Sequence, residues 1–97
     1  MNSQTVPQFW KLFYQLSQDV RRRASKAYRI WRQNPDAPGL HFKRVGKTRP
    51  VYSIRIGDYY RVLGLLHGDT ITWFWIGRHD EYERLLKPYV VIEQKRA

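Results

Sequence analysis

The sequence lacks cysteine entirely, which excludes disulfide bonds and thiolate metal sites from this chain of 97 residues. It also lacks any apolar run near the roughly 20 residues that span a bilayer. Residues 1–9 have neither the charged nor the apolar region of a signal peptide. With a length typical of one hydrophobic core, these absences predict a single domain, residues 1–97, that is soluble and cytoplasmic.

Negative charge is scarce: 8 acidic residues stand against 18 Lys and Arg, which gives a net charge of +10. Between Arg21 and Arg61, twelve basic residues are accompanied only by Asp36 and Asp58. Such a field favours an anionic partner, which could be nucleic acid, an acidic protein or a lipid surface. A generally basic surface without a specific partner is the simpler alternative.

Signatures of several catalytic classes are absent as well. His41, His67 and His79 are scattered without the spacing of metal ligands, so we expect no metal. There is no glycine-rich phosphate loop, no serine in a nucleophile elbow and no reason to expect a cofactor. An enzyme built from this sequence would use Arg, His, Tyr and Lys. Those groups suffice to cut RNA, because the 2′-hydroxyl of RNA supplies the nucleophile.

What the sequence does contain begins with two amphipathic helices. Residues 1–6 are polar and are predicted to be loose or to form a short edge strand. Pro7 suits the first turn of one helix, and Ser17 is a candidate N-cap for a second. Asn34-Pro35 ends that second helix, and the short connection between the two predicts an antiparallel hairpin. The second helix has an apolar stripe with a 3.6-residue period, formed by Val20, Ala24, Ala27, Tyr28 and Trp31.

The rest of the sequence is predicted to form strands at residues 40–45, Val51–Ile56, 59–66 and 70–76. In Val51–Ile56 the alternation puts Arg55 on the face opposite Ile54. Residues 70–76 are apolar on both faces, with Ile71, Trp73 and Trp75 against Phe74 and Ile76, which indicates a central strand.

Gly77 is predicted to end this central strand, and Asp80 to cap a short helix that runs to Leu86. For residues 89–97 an edge strand and a frayed end both remain open.

The predicted fold is therefore α+β, with an N-terminal helical hairpin packed on one face of a small antiparallel sheet of about four strands and a short C-terminal helix. A sheet covered on one side should be polar on its free side. Here that side carries arginine, since Arg55 and Arg61 lie on neighbouring strands across a short turn. Two guanidinium groups suit a phosphate between them. The alternative is that each pairs with a carboxylate of Asp58, Asp80 or Glu81, or lies along the sheet with its aliphatic stem packed.

His79 and Tyr82 follow the last strand, at the end of the sheet where side chains converge. Imidazole is the side chain best suited to proton transfer near neutral pH. Tyr82 lies one helical turn on, so it can point to the same side and stack on a base. Each residue alone is more commonly structural.

Three segments in this order resemble the RelE/ParE superfamily of type II toxin–antitoxin toxins: Tyr52-Ser-Ile-Arg55, Tyr60-Arg61-Val62 and Gly77-x-His79-Asp-x-Tyr82. The resemblance covers nearly the whole chain. It implies that Arg61 stabilises a scissile phosphate, Arg55 positions the 2′-hydroxyl, His79 is the general acid and Tyr82 stacks on a base. Tyr82 comes sooner after the glycine than in RelE, and Ser53 replaces a lysine found there.

The resemblance implies a ribosome-dependent mRNA endoribonuclease that inhibits translation, with the ribosome, mRNA and a cognate antitoxin as partners and no membrane. The alternative is a ParE-like inhibitor of DNA gyrase or a non-catalytic basic binding protein of the same fold. The oligomeric state is left open. The basic residues expected to contact RNA are Arg22, Lys26, Arg29, Lys43, Arg44, Lys47, Arg49 and Arg78.

Overall fold

Two helices lie on one face of a five-stranded sheet in the computed structural model, which describes residues 1–84. A helical segment at residues 79–84, called α3 here, follows the sheet. The predicted continuation to Leu86 and the segment 89–97 lie outside the described residues. The other elements are β1 (Asn2–Thr5), α1 (Pro7–Tyr14), α2 (Gln18–Gln33), β2 (Lys43–Arg44), β3 (Val51–Ile56), β4 (Tyr60–His67) and β5 (Thr70–Arg78).

The strand order is β1-β5-β4-β3-β2, so β5 is an interior strand, as its two apolar faces predict. The α+β architecture is confirmed, but the sheet has five strands, and β1 pairs in parallel with β5. The backbone N–H of Asn2 donates to the carbonyl of Asp69 at 2.8 Å and that of Val6 to the carbonyl of Trp73 at 3.3 Å. Because β1 is held through its backbone and has mostly exposed polar side chains, its sequence shows no apolar alternation.

The core lies between the helices and the sheet. Helix α1 packs on β5 and α2 packs on β3. Trp31 is almost fully buried at the centre of this core, where its ring meets that of Trp73 edge-on at 5.2 Å. Ile54 and Ile71 from the sheet complete the layer. Val20, Ala24 and Trp31 of the apolar stripe predicted for α2 are buried, whereas Tyr28 is exposed; the basic side of α2 faces outward.

The predicted strand at residues 40–45 is wrong in extent, because only Lys43 and Arg44 pair with β3. His41 has φ 48°, in the left-handed region, so the extended backbone is interrupted before β2. Leu40 is nevertheless buried, and its carbonyl accepts the backbone N–H of Arg55 at 2.7 Å. The segment thus closes the edge of β3 without forming a regular strand along its length.

Two boundaries near the end of the sheet also differ from the prediction. Gly77 does not end β5, because Gly77 pairs with Arg61 and Arg78 pairs with Tyr60 on β4. The helical segment begins at residue 79, so Asp80 lies inside it instead of capping it; its Oδ1 accepts the N–H of Glu81 at 3.1 Å.

The prediction that Trp73 and Trp75 share a face is wrong. A bulge between Leu63 and Gly64 shifts the β4–β5 register, and this shift lets Trp73 join the core beneath the helices while Trp75 packs on the other face. Gly64 is required at the bulge, since a Cβ there would lie 2.6 Å from the Trp73 ring.

The face of the sheet away from the helices has two parts. Val51, Leu63 and Trp75 form a second buried apolar cluster there, against which Tyr82 packs. The expectation of a polar free side therefore holds only at the end of the sheet where Arg55 and Arg61 lie.

We expect Ser17→Ala to lower the free energy of unfolding by about 1 kcal/mol, because Ser17 is the N-cap of α2. Its Oγ accepts the N–H of Val20 at 3.3 Å. Ser25→Ala, on the exposed side of the same helix, is the matched control and should cause no loss. Urea denaturation of both variants checks this, and equal losses would contradict the capping role.

Candidate functional site

Arg55 and Arg61 are direct partners across the β3–β4 hairpin, on the face away from the helices. The tight turn at Gly57 fixes this register, as the sequence predicts. Arg55 is held by its own turn: Nη2 lies 2.5 Å from Oδ1 of Asp58, and Nε donates to the carbonyl of Gly57 at 2.9 Å. The proposed pairing with Asp58 is therefore present for Arg55.

Arg61 differs, because within residues 1–84 it forms no ion pair with a carboxylate. Its Nη1 donates to the backbone carbonyl of Tyr60 at 2.8 Å and, weakly, to that of Gly57 at 3.5 Å. Burial lowers the pKa of the Arg61 guanidinium, and the positive charge of Arg55 lowers that pKa further, against a smaller opposing effect of Tyr82, Asp58 and Glu83. The positive charge of Arg61 therefore lowers the stability of the folded protein, and a bound anion would offset this loss.

The β5–α3 junction brings His79 to the same end of the sheet, two residues after Gly77, the partner of Arg61. The backbone N–H of His79 donates to the carbonyl of Tyr59 at 2.6 Å, which ties the junction to the β3–β4 turn. The His79 ring stacks on Tyr82, with centroids 5.3 Å apart and planes 26° apart. The predicted shared side of these two rings is therefore observed.

Glu83 is a residue of this site that sequence reasoning missed. Its Oε1 lies 3.5 Å from Nε2 of His79. The signal that could have revealed it is the four-residue spacing from His79 on a predicted helix. An imidazole at the same end of the sheet as two guanidinium groups is suited to exchange a proton with an anion that those groups bind.

The residues predicted to contact RNA are not gathered at this site. Arg22, Lys26 and Arg29 are exposed on α2, on the other side of the sheet from Arg61. Arg44 is bound to its own loop, with Nε donating to the carbonyl of Gly46 at 2.8 Å. The remaining ones are exposed in β2, the following loop and the end of β5: Lys43, Lys47, Arg49 and Arg78.

Within residues 1–84 there is no group of three or more His, Asp or Glu side chains placed to hold a metal ion. In the same part of the chain, no helix has the length and apolarity needed to cross a membrane.

Asp58 competes with any anion for Arg55, and this leads to a prediction. We expect Asp58→Asn to tighten binding of a fluorescent single-stranded RNA by about 1.5- to 5-fold at low salt, the range for an exposed ion pair. Asp36→Asn makes the same charge change in the turn after α2 and is the control. Equal tightening by both variants would show a general charge effect and would contradict local competition.

Residues 18–84 match the family model of the ParE-like toxin domain. The archaeal RelE–RelB complex from Pyrococcus horikoshii contains a chain with 20% identity and a TM-score of 0.63, covering 79% of this chain and 92% of that one. The YoeB/ParE toxin from Agrobacterium tumefaciens has 13% identity and a TM-score of 0.64, with coverage of 81% and 99%.

The RelB–RelE complex from Methanococcus jannaschii gives 20% identity and a TM-score of 0.63, with coverage of 84% and 95%. A search of curated proteins found no match. The fold is that of the toxins of toxin–antitoxin systems. The chain belongs to the ParE-like toxin domain family, which confirms the resemblance to the RelE/ParE superfamily.

Proposed function

We propose that this protein is a toxin that cleaves mRNA on the ribosome and so inhibits translation. The observation that carries the proposal is the position of Arg61, without a carboxylate partner in residues 1–84, beside Arg55 and the His79–Tyr82 stack. A gyrase inhibitor would have no use for an imidazole held by Glu83 next to an anion site. The arrangement suits phosphodiester cleavage.

In the proposed reaction the two arginines hold the scissile phosphate and stabilise the negative charge that develops on it. The 2′-oxygen of the RNA forms a bond to phosphorus while the bond from phosphorus to the 5′-oxygen breaks. The 2′-hydroxyl proton leaves to solvent, and His79 gives its proton to the departing 5′-oxygen. The products are a 2′,3′-cyclic phosphate and a free 5′-hydroxyl.

The lysine replaced by Ser53 has a possible substitute on the neighbouring strand. Lys43 is the direct cross-strand partner of Ser53, so both lie on the face that carries Arg55 and Arg61. Ser53 itself is buried. An exposed lysine therefore stands one strand away from the position where RelE has one.

The exposed basic residues would hold ribosomal RNA by contact with its phosphates, which makes binding strongly dependent on salt. They occupy two separate surfaces: the outer side of α2 (Arg22, Lys26 and Arg29) and the β2 region with its loop. Basic residues on both sides of the sheet would let the protein bind folded ribosomal RNA at the same time as a single strand of mRNA.

We propose an antitoxin protein as the second partner, in line with the RelE–RelB complexes among the structural neighbours. A cavity of about 410 Å³ opens between α1, α2 and β1, lined by Phe13, Tyr28 and Arg29 among others. It would suit an apolar side chain of an acidic helix. The net charge of +10 predicts that this association weakens as salt rises.

The test is controlled expression of the wild type beside an Arg61→Ala/His79→Ala double variant, with mapping of new mRNA 5′ ends after induction. The proposal predicts cuts inside translated codons in the wild type alone. Growth arrest with intact mRNA would favour the gyrase alternative, and no arrest would favour a non-catalytic binding protein. Either outcome would contradict the proposed function.

A further inference from the structure

The β3–β4 turn carries an aromatic side chain that the fold does not need. Tyr59 is 65% exposed and belongs to neither buried cluster, unlike its neighbour Tyr60, which packs against the core. The Arg78 guanidinium carbon lies 6.0 Å from the centre of the Tyr59 ring and 5.8 Å from that of Tyr60. Asp80, with Oδ1 3.6 Å from Nε of Arg78, helps to hold the guanidinium there.

This group adjoins the phosphate site through the backbone. The carbonyl of Tyr59 accepts the N–H of His79 at 2.6 Å, and Asp58, its neighbour in the turn, binds Arg55. Because Arg61 pairs with Gly77 while Tyr60 pairs with Arg78, alternation places Arg78 on the opposite face from Arg61. The Tyr59 ring and the Arg78 guanidinium therefore lie at the same end of the sheet as the phosphate site, but Arg78 is on the opposite face from Arg61.

An exposed ring beside a guanidinium plane is a surface on which a nucleic acid base can stack. Stacking of a base on an aromatic side chain contributes about 1–3 kcal/mol, and a guanidinium adds to it. A single strand whose phosphate contacts Arg61 would bring a flanking base over the end of the sheet. The positive charge of Arg78 would attract the negatively charged backbone of that nucleic acid strand.

We propose that Tyr59 and Arg78 form a platform that stacks on the nucleotide flanking the scissile phosphate of a single-stranded RNA. The platform rests on the proposed function, since it adds a second base contact to the same substrate. It differs from the Tyr82 contact in lying on the other side of His79, at the turn. Stacking of this kind accepts any base and favours the larger purines.

The test uses short single-stranded RNAs carrying the fluorescent base 2-aminopurine at successive positions, mixed with the full-length protein. We expect quenching at one position in the wild type and in Tyr59→Phe. Tyr59→Ser should lose that quenching and bind about 5- to 150-fold more weakly, the equivalent of the stacking energy. Thermal unfolding of each variant excludes a folding defect.

Tyr14 provides a matched control within the same chain. Its ring is 66% exposed and lies 5.9 Å from the guanidinium carbon of Arg21, but it belongs to α1 and not to the β3–β4 hairpin that carries Arg61. Tyr14→Ser should bind RNA as the wild type does. Equal losses for Tyr14→Ser and Tyr59→Ser, or no loss for Tyr59→Ser, would overturn the platform.

The binding assay requires no cleavage, so its result is separate from that of the proposed function. If mRNA stays intact in cells while Tyr59→Ser alone loses quenching, the ribonuclease proposal fails and the platform stands. If mRNA is cut and Tyr59→Ser cuts at the same rate and positions with unchanged binding, the platform alone fails. A wild-type protein that binds none of the RNAs also overturns the platform.

Discussion

Arg61→Ala is expected to lower the rate of mRNA cleavage in a purified translation system by about 10²- to 10³-fold, the usual loss when a group that stabilises transition-state charge is removed. Arg61 has this weight because within residues 1–84 only backbone carbonyls occupy its guanidinium, whereas Arg55 already binds Asp58. The measurement is the single-turnover rate on programmed ribosomes.

Arg32→Ala is the matched control, since it removes the same charge from the exposed side of α2. It should change the rate by less than about fivefold, which corresponds to about 1 kcal/mol for an exposed charge. Arg61→Lys should restore only part of the activity, because an ammonium group cannot bind two phosphate oxygens as a guanidinium does. Equal effects of Arg61→Ala and Arg32→Ala would contradict a specific phosphate site.

For stability we expect the opposite effect: removal of the Arg61 charge should not destabilise the fold, although it lowers activity. Burial and Arg55 lower the pKa of Arg61, so the folded chain binds this proton less tightly than the unfolded chain does. The charge therefore costs stability wherever Arg61 is protonated, which includes all neutral pH. We expect Arg61→Gln to lose activity while its unfolding midpoint stays the same or rises. A large drop in stability would show instead that the variant is inactive because it is damaged.

His79→Ala is expected to have an effect of similar size, a loss of about 10²- to 10⁴-fold in the cleavage rate, the range for removal of a general acid. The ring is placed for this role by Glu83 at 3.5 Å and by stacking on Tyr82. Ribosome binding should be retained, since the loss concerns proton transfer. Rates and binding are measured in the same translation system.

His67→Ala is the control for this variant, because His67 is exposed and is the last residue of β4, at the opposite end of the strand from Arg61. It should cleave at the wild-type rate. A His79→Ala protein that remained fully active would remove the general acid from the mechanism. Loss of ribosome binding in His79→Ala would assign the residue to recognition instead.

The sequence was sufficient to predict the parts of this site that depend on local rules. Arg55 and Arg61 flank a short turn, and a tight turn fixes the register of its two strands, so their pairing could be read directly. The capping role of Ser17 and the buried stripe of α2 follow from helical geometry in the same way. Each of these features involves residues close together in the chain.

The features that the sequence did not reveal depend on distant contacts. The register shift that separates Trp73 from Trp75 arises where Gly64 of β4 meets β5, and alternation within β5 alone cannot show it. The short edge strand predicted as one alternative for residues 1–6 is present as β1, but its parallel pairing with β5, nearly seventy residues away, could not be predicted. The exposure of Tyr59 could not be predicted either, because residues 59–66 were predicted to form a strand and a tyrosine in a strand is expected to pack.

Tyr82 shows how packing and function combine at this site. Its ring packs against the buried cluster of Val51, Leu63 and Trp75 and also stacks on His79. The predicted packing of Tyr82 and its predicted position on the same side as His79 are thus both observed, while its contact with a base stays a prediction. The stacking on His79 holds the Tyr82 ring beside the imidazole, and Tyr59 offers a second, more exposed ring for a base.

The most direct test of the central claim is cleavage of an mRNA carrying one 2′-deoxynucleotide at a mapped cut site on the ribosome. The account predicts that this substitution abolishes cleavage there, because the attacking oxygen is missing, while a second unmodified site in the same mRNA is cut normally. Cleavage through the deoxynucleotide at the wild-type rate would contradict the account, since no chemistry based on Arg55, Arg61 and His79 alone could then explain it.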